Sequence, residues 1–321
     1  MNHIQLDLNS TGLPQADQTR RFRRTLKTET KVSGVGVHSG ETVHLKLSPA
    51  PAGTGLVLRS SSAVDGEIEI SPYRVVNTLN AVTLSNGKWQ VQTVEHLLAA
   101  LATAGVTDLY IELDSFELPI MDGSGAEFYA AILAAGVLDL AEEVEPIRLT
   151  SAVWVVEGDK YLVALPHDGL RVSYHIDYQH PLLAGKSLTM DLDSDVLASE
   201  ILPARTFGFL RDVDHLKSKG LIKGASLANA VVLTDDHYLN DELRHPEECI
   251  RHKVLDLIGD MYLLGRPIHA HFIASKAGHA LDVALARRIL TQVSVDELAR
   301  KRGSAGKPQL TRTPFESVSS S

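Results

Sequence analysis

A single cysteine, Cys249, stands in a chain of 321 residues. No disulfide can therefore form within the chain, and the composition suits a reducing compartment. Lysine and arginine number 31 against 40 aspartates and glutamates, a formal charge of -9. That deficit argues against a general nucleic-acid binder, which normally carries a basic surplus. No apolar run approaches the roughly 18 residues of a membrane span, and the N-terminus has no apolar signal-peptide core, so a cytoplasmic protein is expected. No repeat of fixed period is visible either. What is present is ordinary for a globular protein, 44% apolar and 22% charged, and the length allows two domains, each with its own core.

The pattern along the chain predicts an α+β architecture, because short alternating strands are interleaved with helices. Thr42 to Leu47 alternates as a strand does, and Asn86-Gly87 between Ala81–Leu84 and Trp89–Val91 marks a hairpin. A helix is predicted from Thr93 to Ala104, a strand from Asp108 to Leu113, and a helix ending near Ala135. The strands Val153–Val156, Tyr161–Leu165, Arg171–Ile176 and Ala230–Leu233 follow. The expected division is a polar tail over 1–24, a first domain over 25–140, a linker over 141–147, a second domain over 148–300 and a tail over 301–321. The first tail closes on Arg20-Arg21-Phe22-Arg23-Arg24, a solvated basic stretch for which weak contact with anionic lipid is the alternative. Each half reads as strands, one long helix and a return strand, which makes a duplicated topology plausible.

The helix bracketed by Pro246 and Gly265 carries the chemistry. At 3.6 residues per turn His252, Asp256 and Asp260 form one stripe, opposite Ile250, Val254, Leu257, Ile258 and Met261. A His and an Asp four apart are often a plain surface pair; a third ligand would make them a metal site. His96, set in an apolar helix, is the best candidate, and His96, His252 and Asp256 would make a three-ligand N/O set with room for water. Cys249 lies on the same stripe and competes with Asp256 as a ligand, although a lone helical cysteine also serves as a small buried hydrophobe. Glu95 beside His96 is either the base for a metal-activated water or a surface glutamate. His279 is an acid if Asp260 meets it, and otherwise a loop histidine. Thr206, in Arg205-Thr206-Phe207-Gly208-Phe209, offers a hydroxyl to an oxyanion beside aromatic surface, or the segment is simply core.

Six segments, in order, resemble the zinc-dependent UDP-3-O-acyl-N-acetylglucosamine deacetylase family of Gram-negative bacteria, which performs the committed step of lipid A synthesis. They are Ser33-Gly34-Val35-Gly36-Val37-His38-Ser39-Gly40, Thr93-Val94-Glu95-His96-Leu97-Leu98-Ala99-Ala100, Pro119-Ile120-Met121-Asp122-Gly123-Ser124, Ala204-Arg205-Thr206-Phe207-Gly208-Phe209, Arg251-His252-Lys253-Val254-Leu255-Asp256 and Lys276-Ala277-Gly278-His279-Ala280-Leu281. The resemblance spans roughly Thr25 to Leu298.

It implies two similar domains, each a mixed sheet with helices on one face, packed helices inward around the site. It also implies one zinc ion (Fe2+ being the alternative occupant) on His96, His252 and Asp256. Glu95 would be the general base, His279 with Asp260 the cationic partner, and Thr206 and Lys253 assistants in catalysis. Lys160, Tyr178, Phe207 and Lys276 would contact the nucleotide-sugar, whose diphosphate suits lysine. The segment from His180 to Leu192 would line an acyl passage, or its leucines are core. The expected partner is the acylated UDP-sugar alone, met by a monomer with no membrane span. Cys249, Ala277 and the pair Asp282-Val283 depart from what the resemblance leads one to expect, and none removes a ligand or the base.

Overall fold

The computed structural model describes residues 22–62 and 66–304. The first half begins with β1 (Phe22–Leu26), β2 (Thr30–Val35), β3 (Thr42–Pro49), β4 (Leu56–Ser60), β5 (Glu67–Glu69), β6 (Val75–Asn77), β7 (Thr83–Ser85) and β8 (Gln90–Gln92). Helix α1 (Glu95–Ala104), β9 (Leu109–Leu113), helix α2 (Ala126–Ala135) and β10 (Val137–Glu143) complete it. The second half runs through β11 (Ile147–Arg148), β12 (Val153–Glu157), β13 (Lys160–Pro166), β14 (Leu170–Ile176), β15 (Lys186–Asp191) and α3 (Ser194–Val196). It continues with β16 (Phe207–Phe209), α4 (Val213–Ser218), β17 (Val231–Leu233), α5 (Glu248–Met261), β18 (Ile268–Ser275) and α6 (His279–Ser304).

The two main sheets share one topology. In the order β2-β3-β9-β4-β5 the successive pairings are antiparallel, antiparallel, parallel and antiparallel. In the order β12-β13-β18-β14-β15 they are the same. The central return strand of each sheet, β9 or β18, follows a buried helix, α1 or α5. The duplication expected from the order of elements is thus present in the fold, without a repeat in sequence. The hairpin at Asn86-Gly87 also forms: β7 pairs with β8 from Thr83↔Gln92 to Ser85↔Gln90. Asn86 Oδ1 accepts from the amides of Lys88 and Trp89, both at 2.9 Å, which lets the side chain close the turn.

Each sheet buries one face against helices. Leu109, Ile111 and Leu113 of β9 are buried in alternation with half-buried Tyr110 and Glu112, and Ala270, Phe272 and Ala274 of β18 alternate with half-buried His271 and Ile273. The cores interlock where the helices meet. Ala99 of α1 packs in the second core, while Tyr262, Leu263 and Val283 pack in the first. Tyr262 Oη donates to Val106 O at 2.8 Å, and Arg287 of α6 donates to the carbonyls of Pro72 and Val75 at 2.9 Å. These bonds tie the second half to the first through backbone that needs a donor.

Four expectations about elements need correction. Helix α1 starts at Glu95, because Thr93 sits in the left-handed region at φ 63 and its amide donates to Val82 O; that conformation breaks the helix predicted to begin there. The basic tail ends earlier than Arg24, since Phe22–Leu26 is a strand paired with β10 and Arg23 forms a fork with buried Asp108 at 2.7 Å. Residues 1–21 lie outside the described residues. The acidic segment from Ala141 is not all linker, because β10 runs to Glu143 and β11 resumes at Ile147. Finally, α6 extends to Ser304, into the expected tail, of which 305–321 are outside the described residues. Among the described residues no helix is long and apolar enough to cross a membrane.

Candidate active site

Helix α5 is buried along its whole length, including the polar stripe. The sequence pattern shows two faces and leaves open what covers the polar one; the structure covers it with α1. The two helices press together at Gly259, where a Cβ would lie 2.1 Å from Glu95 O and 2.8 Å from Glu95 C. Backbone meets backbone there, so His96 and the His252 stripe are carried into one pocket. The rings of His96 and His252 are 5.0 Å apart and perpendicular. Asp256 Oδ1 lies 3.2 Å from His252 Nε2 and 3.9 Å from His96 Nε2, and ligand atoms of all three residues fall within 4.8 Å of one another. Two ligands of one ion, bonded at about 2.0–2.1 Å, stand at most about 4 Å apart, so the two measured separations suit a shared zinc-sized cation.

The protonation states suit a cation too. His252 Nδ1 lies 3.0 Å from Ala204 O. A carbonyl only accepts, so Nδ1 carries a hydrogen and Nε2 is the nitrogen that faces the pocket. That carbonyl is held in turn by Arg205, whose Nε and backbone N donate to Glu248 Oε1 at 2.8 and 3.0 Å. Burial, then the neighbouring His252, pushes the His96 pKa down to about 3, and a ligand imidazole must be neutral. Burial works against an ionised Asp256, but His252 and Lys253 outweigh it and hold the carboxyl well below its usual range. Lys253 Nζ takes Asp256 Oδ2 at 2.8 Å, which leaves Oδ1 for the pocket. Cys249, by contrast, does not belong to the group of ligand atoms formed by His96, His252 and Asp256; it is buried in the second core, where it packs as a small hydrophobe.

Glu95, the first residue of α1, is buried, and its Oε2 accepts from Val82 N at 3.1 Å. Burial raises its pKa to about 7, with Asp260 and Asp256 adding to the shift and His279 opposing it. A base poised at neutrality transfers protons with the greatest efficiency at neutral pH. His279 opens α6 and its Nδ1 meets Asp260 Oδ2 at 2.7 Å, the pairing on which its reading as an acid depends. Asp260 is fully buried, and its carboxyl is held well above the usual range by burial and by Asp256.

Aromatic side chains form one wall. The Phe207 ring lies 6.4 Å from His252 and 5.6 Å from Tyr178, and Tyr178 is 5.7 Å from Phe209. Thr206 is held by its backbone, donating to Gly123 O and accepting from Val231 N, both at 2.8 Å. Lys276 sits in the left-handed region at φ 51 and is clasped by Asp159 and Asp177, at 2.9 and 3.1 Å. Lys160 is exposed at the start of β13 and is not brought into the histidine cluster. In the segment after His180, Leu183 and Leu192 belong to the second core, as the plainer of the two readings has it.

Two contributors have no role in the sequence reading. The Ala204 carbonyl and the Glu248–Arg205 pair that fixes it are invisible to spacing, because the residues are 43 or more apart and one acts through backbone. Asp282 is the other: buried, three residues after His279, within 4.8 Å of Asp260 and His279 by one ligand atom of each. The i, i+3 interval was the available signal.

Residues 23–291 match the family described as UDP-3-O-acyl N-acetylglycosamine deacetylase. A protein of Leptospira biflexa named UDP-3-O-acyl-N-acetylglucosamine deacetylase is 53% identical over 285 residues, covering 88% of this chain and 94% of its own length. Proteins of the same name from Myxococcus xanthus and Thermodesulfovibrio yellowstonii are 46% and 39% identical, over 88% and 84% of this chain and 92% of their own lengths.

Proposed function

Because the chain belongs to the UDP-3-O-acyl N-acetylglycosamine deacetylase family, we propose that it hydrolyses the acetamide of UDP-3-O-(3-hydroxyacyl)-N-acetylglucosamine. The products are acetate and the free amine, the committed step of lipid A synthesis. The observation that carries this reading is the convergence of His96, His252 and Asp256 beside Glu95 and the His279–Asp260 pair. His96, His252 and Asp256 would hold a zinc ion, Fe2+ being the other metal that such an N/O set accepts. When bound, the ion supplies a Lewis acid for the amide carbonyl and makes a water acidic enough to ionise near neutral pH.

Glu95 takes the proton of the attacking water, a task suited to a carboxylate whose pKa burial has raised to about 7. His279, steered by Asp260, faces the developing oxyanion and delivers a proton to the departing amine. Thr206 assists at the oxyanion. Lys253 neutralises Asp256 at its outer oxygen and adds positive charge close to the site. The aromatic wall of Phe207 and Tyr178 borders the pocket on the sugar side, and Lys160 and Lys276 meet the diphosphate. Lys276 leaves Asp159 and Asp177 to do so, exchanging two single carboxylates for the paired phosphates.

The test is to incubate the protein with this UDP-sugar and follow acetate. Release is expected, lost after chelation and restored by zinc. Acetate that is formed undiminished in chelator, or formed only from other nucleotide-sugar amides, overturns the assignment.

A further inference from the structure

Asp282 lies in the first turn of α6 and is fully buried. Neither of its carboxyl oxygens meets a hydrogen-bond partner among the described residues, and Asp260 Oδ1 has none either. One oxygen of each carboxyl and one ring nitrogen of His279 lie within 4.8 Å of one another. Two ionised carboxylates so close and buried, with three of their four oxygens lacking a donor among the described residues, would each lose hydration and repel the other. The N-terminus of α6 favours negative charge, yet no backbone N–H reaches Asp282. Lys253 spends its ammonium on Asp256 Oδ2. A single proton between the carboxyls supplies the missing donor, since a protonated carboxyl gives one O–H and its neighbour accepts it.

We propose that Asp282 and Asp260 share one proton as a carboxyl–carboxylate pair, and that Asp282 is thereby a positioning residue, anchoring Asp260 so that its second oxygen stays on His279 Nδ1. This rests on His279 being the acid of the reaction proposed above. Burial and Asp260 push Asp282 up to about 8, with Asp256 adding to the shift and Lys253 and His279 opposing it. The buried Tyr174 phenol also senses the Asp282 charge. Groups this strongly linked gain and lose protons as a pair.

Infrared difference spectroscopy tests the pair on the zinc-loaded full chain near neutral pH, in a Glu95→Gln background that silences the other raised carboxyl. A carboxylic-acid C=O stretch is expected, and Asp282→Asn and Asp260→Asn should each abolish it. In otherwise wild-type enzyme Asp282→Leu should lower kcat about tenfold or more, with little change in KM, because Asp260 loses its donor. Asp282→Asn should recover most of that loss, because its amide still donates. A stretch that survives Asp282→Asn, or equal losses of kcat in the Leu and Asn variants, overturns the proposal. The spectrum needs no turnover, so it is readable even if the deacetylation assignment fails, and it decides the matter if the Leu variant does not fold.

Discussion

Glu95→Gln is expected to lower kcat by roughly 100-fold or more while the metal stays bound. The substitution keeps the volume of the side chain and an oxygen able to accept from Val82 N, the one hydrogen bond that Glu95 Oε2 makes there. What it removes is the ability to take a proton. The pH profile separates this role from a structural one. With its pKa raised to about 7 by burial, Glu95 is protonated in the mildly acidic range, and kcat/KM of the wild-type enzyme should fall about tenfold per pH unit below that value. In Glu95→Gln this limb should be absent, leaving a low, flat rate. Steady-state kinetics across the acid range, with metal content measured on the same samples, checks both halves of the expectation. A variant within a few-fold of wild type would remove Glu95 from the chemistry.

Gly259→Ala is expected to destabilise the fold by about 2 kcal/mol or more and to cut kcat/KM by at least about tenfold. Two effects oppose each other. Alanine in a helix interior is favoured over glycine by about 1 kcal/mol. Against this, the new Cβ would meet Glu95 O at 2.1 Å and Glu95 C at 2.8 Å. Both are backbone atoms that no rotamer change can move, so α1 and α5 must separate by more than an ångström. The clash wins, and its effect falls where it does most harm, since α1 carries Glu95 and His96 and α5 carries His252 and Asp256. Chemical denaturation and steady-state kinetics of the zinc-loaded variant report the two consequences. An Ala variant as stable and as active as wild type would mean that the helices do not meet at this point.

The duplicated α+β fold was legible because periodicity and turn residues are local signals. The hairpin at Asn86-Gly87, the bracketing of α5 by Pro246 and Gly265, and the alternation in β12 to β14 all lie within a few residues of what they specify. The His252–Asp256 spacing was legible for the same reason. Less accessible was anything set by tertiary contact. The start of α1 depends on Thr93 adopting φ 63, which costs energy that only its surroundings can offset. Arg23 and Arg24 read as tail because their partners, Asp108 and Asp139, are 85 and 115 residues away. The polar face of α5 could be assigned to a pocket by chemistry, but its complete burial depends on α1, more than a hundred residues upstream. Asp282 shows the limit most clearly: its interval of three from His279 is the one local signal, and the carboxyl that faces it, Asp260 of α5, is brought there by tertiary contact.

The proposed chemistry requires that two helices, one from each half of a duplicated fold, hold a single divalent ion between them. The most direct test is to measure bound zinc by equilibrium dialysis and elemental analysis in the wild-type chain and in His96→Ala, with circular dichroism on the same samples. About one tightly held ion per wild-type chain and a folded, metal-poor, inactive His96→Ala protein are predicted. Full zinc occupancy in His96→Ala would place the ion elsewhere and contradict the account, as would a variant that cannot fold without it, which would make the ion structural.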